Sequence, residues 1–123
     1  MSDRPCRVCG RSETELHHII KRSKVRALIK CELNLCPLCS YHHRDHKAGV
    51  HFNKELERKL RLEFQNTLEI LWDKDFLTEE EINDVLKIST TALRGLLKQA
   101  TVYKEGYCRE EIIRLCMGGR IEV

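Results

Sequence analysis

All six histidines of this 123-residue chain fall between His17 and His51, and five of its seven cysteines precede His42. Groups that bind metals or move protons are therefore confined to the first two-fifths of the sequence. Paired cysteines serve either a disulfide framework or a metal ion. No secretory leader is recognisable at the N-terminus, so the expectation is a cytoplasmic protein, where thiols stay reduced and cysteine pairs bind metals. A chain of this length builds one compact domain or two small modules, and a small module needs help beyond its own apolar core.

Charge follows the same division. Residues 1–50 hold 10 Lys and Arg against 5 Asp and Glu, whereas the remainder holds 12 against 14. The basic surplus thus lies beside the ligand-type residues, where an anionic partner is expected; the net charge of +3 alone would not suggest one. No apolar run approaches the length of a bilayer span, which argues against a membrane partner. No His-Glu-x-x-His segment exists, which excludes the commonest zinc-protease arrangement.

Cys6-x-x-Cys9 places two thiolates on one turn, with Gly10 allowing the tight backbone. A tetrahedral zinc site needs a second pair, and the chelate spacing admits either Cys36 with Cys39 or Cys39 with His42. Cys31, Cys108 and Cys116 have no such neighbour and read as small core residues. The segment Leu16-His17-His18-Ile19-Ile20 suits a short strand, which sends His17 and His18 to opposite faces. One can then hold an ion while the other meets a different group. His42, His43, His46 and His51 follow Pro37, and histidines near a helix start can return to that same ion.

From Phe52 to Leu71 the apolar residues Phe52, Leu56, Leu60, Phe64, Leu68 and Leu71 recur at three- or four-residue steps, which predicts an amphipathic helix. A boundary is expected near Trp72–Phe76. Beyond it, Thr78 can cap a helix with Ile82, Val85 and Leu86 on one face. Ser89 or Thr90 can cap a second helix whose Ala92, Leu93, Leu96 and Leu97 face inward. Val102 to Cys108, with Gly106, reads as a hairpin or wing, and Arg109 to Met117 as a last helix stopped by Gly118-Gly119. The expected organisation is three parts: residues 1–52, 53–76 and 77–123.

Leu16-His17-His18-Ile19-Ile20 with Arg22-Ser23, followed by Asn34-Leu35-x-x-Leu38-Cys39-x-x-His42-His43-Arg44, resembles the HNH endonuclease family over residues 4–51. Phage-encoded members with a Cys-x-x-Cys start and a later Gly-Val-His are the most similar. The resemblance implies a zinc-stapled ββα-metal fold, treble-clef-like, in which His17 and His43 bind a catalytic divalent ion and His18 activates water. It implies that Asn34 pins the loop between the two strands and orients the base. It also selects Cys6, Cys9, Cys39 and His42 as the structural zinc ligands, with Cys36 as the alternative. His51, ahead of His46, is the further candidate for the catalytic ion.

Leu77–Ile121 resembles the winged helix-turn-helix of excisionase-type DNA-binding proteins in Thr78-x-x-Glu81, Ile88-Ser89-x-x-x-Leu93 and Arg109-Glu110-Glu111-Ile112. A recognition helix there would present Thr90, Thr91, Arg94 and Lys98. Arg22, Lys24 and Arg44 are the expected backbone-phosphate contacts. The sequence reading is thus an α+β chain: a small nuclease module, an amphipathic connecting helix and a mostly helical DNA-binding module. Its cofactors would be structural zinc and a catalytic magnesium or manganese, with nickel or zinc as further options at an imidazole-rich site. DNA is the expected partner, and a homodimer or other phage proteins, packaging proteins among them, remain open. The competing reading is a noncatalytic zinc-containing DNA-binding regulator.

Overall fold

The computed structural model describes residues 4–123, an α+β arrangement in which two small antiparallel sheets and five α-helices surround a continuous set of buried side chains. The first sheet pairs β1 (Glu15–His18) with β2 (Leu35–Leu38), His17 lying opposite Cys36 and His18 opposite Leu35. Period-two alternation buries His17 on β1 and Cys36 and Leu38 on β2. The loop between the strands makes two single turns of 3-10 helix, Arg26–Leu28 and Glu32–Asn34.

After β2 the chain turns directly into α1 (Ser40–Arg44), so Pro37 belongs to the strand and Cys39 sits at the helix N-cap. The following turn is tied by Asp45, whose carboxylate accepts the backbone N–H groups of Lys47 and Ala48, each at 3.0 Å. Val50 then donates its N–H to the His42 carbonyl at 2.8 Å, folding the chain back across α1. Gly49 is required in this fold-back, because a Cβ there would lie 2.4 Å from the Asp45 carbonyl oxygen.

The long helix α2 spans Lys54–Leu71. It begins two residues later than the apolar spacing alone predicts, since the Asn53 side chain accepts the Leu56 N–H at 3.1 Å and caps it. Phe52 stays outside and exposed, while Leu60, Phe64 and Leu68 form the buried stripe. The boundary expected near Trp72 is no loose linker. Trp72 is 2% exposed and its indole N–H donates to the Glu81 carbonyl at 3.3 Å.

Strand β3 (Phe76–Leu77) leads into α3 (Glu79–Leu86), where Thr78 and Glu81 form a reciprocal capping box. Asn83 closes the next turn by bonding both the N–H and the carbonyl of Ile88 at 3.0 Å, and Ser89 caps α4 (Thr90–Leu97). The hairpin β4 (Val102–Tyr103) and β5 (Gly106–Cys108) completes a sheet of order β3-β5-β4, and α5 (Arg109–Cys116) follows at once.

The parts expected at residues 1–52, 53–76 and 77–123 share one core rather than three. The Arg109 guanidinium donates to the carbonyls of Trp72 and, at 2.8 Å, Glu69, satisfying the open end of α2. Gln65 bonds the N–H and carbonyl of Glu122 at 2.7 and 3.0 Å, holding the last residues along α2. α4 packs against the 3-10 turn Arg26–Leu28 of the first part. Cys31 and Cys116 are fully buried and Cys108 half-buried, and burial pushes the Cys31 and Cys116 thiols up.

Gly106 holds φ at +125°, and a Cβ there would lie 2.6 Å from the Leu77 carbonyl oxygen across the sheet. Gly106→Ala is expected to lower unfolding free energy by about 1–3 kcal/mol. Urea unfolding of both proteins checks this; an unchanged midpoint would contradict it.

Candidate functional site

The Cys6–Gly10 turn is closed by the Gly10 N–H donating to the Cys6 carbonyl at 2.8 Å, and the Arg7 N–H anchors it to the Pro37 carbonyl at 2.9 Å. This brings Cys6 and Cys9 to the N-terminal end of α1, where Cys39 and His42 wait. The ligand atoms of Cys6, Cys9, Cys39 and His42 all lie within 4.8 Å of one another. Cys9 Sγ is 3.6 Å from Cys39 Sγ, and His42 Nδ1 is 3.3 Å from Cys39 Sγ and 3.8 Å from Cys6 Sγ.

A tetrahedral zinc ion with ordinary Zn–S and Zn–N bonds holds its ligand atoms about 3.3–3.8 Å apart, so these separations fit one. They are far too long for a disulfide. Burial disfavours the Cys6 thiolate, yet backbone hydrogen bonds at Cys39, Cys9 and Val8 outweigh it and bring the thiol down to about 6. Cys9 is raised, because the Arg11 backbone contact is outweighed by burial and by its crowded sulfur neighbours. A divalent cation resolves that crowding. The group can hold a metal ion such as zinc.

Cys36, the alternative ligand, stands outside this group. Its side chain shares the buried face of β2 with Leu38, where its thiol donates to the Pro37 carbonyl at 3.9 Å and burial pushes it up. Arg7 reaches its sulfur at 4.0 Å.

One residue beyond His42, the second histidine of the pair turns to a different place. His17, His43 and His51 present ring nitrogens within 4.8 Å of one another, with ring centroids 5.3, 5.3 and 4.9 Å apart. His17 comes from β1, His43 from α1 and His51 from the fold-back after Gly49. Burial, then the neighbouring His43, His51 and His18, brings His17 down to about 4, so its ring is neutral at physiological pH and available as a donor of lone pairs. His51 is lowered by burial, His43 and Lys21. His46 stands apart, stacked on Phe52 with centroids 4.8 Å away.

Glu15, which sequence reasoning passed over, lies two residues before His17 and so on the same face of β1. His43 Nδ1 donates to Glu15 Oε1 at 2.9 Å, leaving Nε2 as the lone-pair nitrogen. Arg44 pairs with the other carboxylate oxygen. The His43 hydrogen bond, with Arg44 beside it, holds the Glu15 carboxyl below its ordinary value. Such a carboxylate fixes the tautomer and aim of a ligating imidazole.

His18 points away from this triad. Its Nε2 lies 2.9 Å from the Ile29 carbonyl oxygen, which only accepts, so Nε2 carries the proton and Nδ1 is basic. Asn34 ties the same loop one residue earlier, at the Leu28 carbonyl. That side chain is fully buried, its Oδ1 accepting the Ile20 N–H at 2.7 Å and its Nδ2 donating to the Ile20 and Leu28 carbonyls at 3.2 Å. All four histidines line one cleft of about 570 Å³, with Lys21, Arg22, Ser23 and Glu57 on its wall.

Lys24 lies beyond the cleft rim, in a groove between the loop after β1 and α4 that Thr91 also lines. Arg94 and Lys98 are exposed on α4. Arg44 is thus committed to Glu15, and Thr91 faces the first part of the chain, while Arg22 shares the histidine cleft. Among the described residues, no helix is long and apolar enough to cross a membrane.

Searches against family models, curated proteins and solved structures found no match to this chain.

Two measurements probe these groups. Cys39→Ala is expected to lose one bound zinc per chain and to unfold, since structural zinc contributes about 10–16 kcal/mol of apparent binding energy in small modules; Cys36→Ala is expected to keep its zinc. Metal analysis with circular dichroism reads both, and the reverse pattern would assign the ligand to Cys36. Glu15→Gln is expected to weaken a divalent ion at His17, His43 and His51 by about 10–100-fold at unchanged content in the cysteine group. Competition titration against a metal dye checks it.

Proposed function

We propose that this chain is a metal-dependent DNA endonuclease of the HNH type, with a zinc-stapled, treble-clef-like nuclease module and a winged helix-turn-helix-like C-terminal part. One observation carries the reading: a basic imidazole nitrogen, held by a backbone carbonyl, shares a cleft with three converging imidazoles and two cationic side chains. The last residue of the group that could hold zinc, His42, immediately precedes His43 of that triad in the chain. Each component alone is common; together they suit metal-assisted phosphodiester hydrolysis.

His17, His43 and His51 offer three imidazole nitrogens to a divalent ion, which when bound supplies positive charge for the phosphate and the departing oxygen. Magnesium and manganese are the expected ions, and the imidazole-rich set also suits nickel or zinc. His18 acts as the general base. Its Nδ1 takes a proton from the attacking water as oxygen bonds to phosphorus and one ester P–O bond breaks, the electron pair leaving with the alcohol oxygen. The rising positive charge on the ring is stabilised through Nε2, whose proton already rests on the Ile29 carbonyl. Asn34 serves geometry, tying the loop that carries that carbonyl at Ile20 and Leu28. Glu15 does the equivalent for His43.

Lys21 and Arg22 suit the phosphates on either side of the bond being cut. Arg94 and Lys98, exposed away from the groove that Thr91 lines, are the side chains through which the C-terminal part would meet DNA.

His18→Ala is expected to retain its zinc and fold while nicking supercoiled plasmid about 10²–10⁴-fold more slowly with magnesium or manganese. Wild-type cleavage should stop with a chelator. Equal cleavage by both proteins would remove His18 from its role. No cleavage by wild type under several ions and DNA forms would favour the noncatalytic zinc-containing DNA-binding reading.

A further inference from the structure

We propose that the small cleft walled by Lys21, Lys24, Arg61 and Arg120 binds a phosphate group, and that this phosphate is the DNA backbone group next to the one being cut. The second clause rests on the nuclease reading; the first does not. The cleft encloses about 300 Å³ and lies where the loop after β1, helix α2 and the turn after α5 meet. It adjoins the histidine cleft, with which it shares Ile19, Lys21 and Glu57.

Four cations line it against the single carboxylate of Glu57. Among the described residues neither Lys21 nor Lys24 forms an ion pair. Glu122 stands behind the wall, 2.7 Å from Arg61 Nε and 3.8 Å from an Arg120 nitrogen, so even with it the balance favours an anion. Arg61 is also held by its donations to the carbonyls of Met117 and Arg120, at 3.2 and 3.4 Å. That guanidinium is set in place before any ligand arrives.

Gly118 completes the wall. At φ +76° it carries the turn across the stem of Lys24, and a Cβ at position 118 would sit 3.4 Å from the Lys24 Cβ. The turn bearing Arg120 is thus packed on Lys24 rather than waving over it. Like charges gathered in a concave wall with low-dielectric surroundings focus their field, and an anion relieves their repulsion. A tetrahedral phosphate fits both the charge and the volume, and a backbone reaching the histidine cleft presents its next phosphate here.

The test uses the full, zinc-loaded chain and the double variant Lys24→Gln/Arg120→Gln, both also in a His18→Ala background for DNA binding. Inorganic phosphate should raise the melting temperature of the wild type and not of the double variant, with sulfate-free buffer and equal zinc content. Duplex binding followed by fluorescence anisotropy should lose about one to two from the slope of log K against log salt, near 0.9 for each phosphate contact removed. Single Lys24→Gln should show about half of that loss.

A phosphate response without any change of slope would overturn the DNA source and leave a site for free phosphate. Unchanged melting response and unchanged slope would overturn the site altogether. Both effects present, in a chain that never nicks plasmid with His18 intact, would sink the nuclease reading and leave the phosphate site standing.

Discussion

The side chain of Asn34 is buried with all three of its amide hydrogen bonds made to backbone, and the geometry of the first half of the protein hangs on it. An amide in this position does what a strand would do if there were room for one. It closes the loop from Ile19 to Leu33 onto itself and fixes the end of β1 from which His17 and His18 diverge, in the loop whose Ile29 carbonyl meets the edge of the His18 ring. An aliphatic replacement of like size would take these partners from the buried Ile20 N–H and carbonyl, a substantial loss, while the Leu28 carbonyl would keep the Cys31 N–H. The Cys and His group secures the opposite end of the same two strands. Between these two fastenings, strands of four residues each hold a precise histidine arrangement with very little apolar core of their own.

Much of this was legible in the residues. The step from His17 to His18 on a strand predicts two faces, and the structure sends one ring to the triad and the other to a carbonyl. The Cys6-x-x-Cys9 turn, the capping by Thr78 and Ser89, and the hairpin around Gly106 follow from local rules that hold in any context. Spacing could not choose between Cys36 and His42, because both satisfy a chelate. The choice is made by strand phase: Cys36 shares the buried face of β2 with Leu38, while Cys39, one residue past the strand, escapes that alternation. Similarly, Glu15 was readable as a neighbour of His17 by period two, but only the pairing of β1 with β2 and the start of α1 bring His43 to it.

What the residues did not disclose is the closeness of the two halves. The turn of charged residues after Trp72 looks like a boundary by composition, and composition is blind to a tryptophan that reaches back over its own turn to Glu81. Arg109 and Gln65 are equally unremarkable in sequence. Their importance comes from backbone groups some forty to sixty residues away, at the end of α2 for Arg109 and in the last residues of the chain for Gln65. Long-range hydrogen bonds of this kind carry no periodicity, so no local pattern announces them.

The Arg109 guanidinium, seated on the carbonyls at the end of α2, has a consequence for scale. Because it joins α5 to the last turn of a helix that also borders the histidine cleft, the span between that cleft and α4 is set by packing and not by a tether. A flexible link would let each end sample partners independently, with an effective concentration that depends on chain length. Here a ligand long enough to reach both the histidine cleft and α4 would meet them at a separation held by packing.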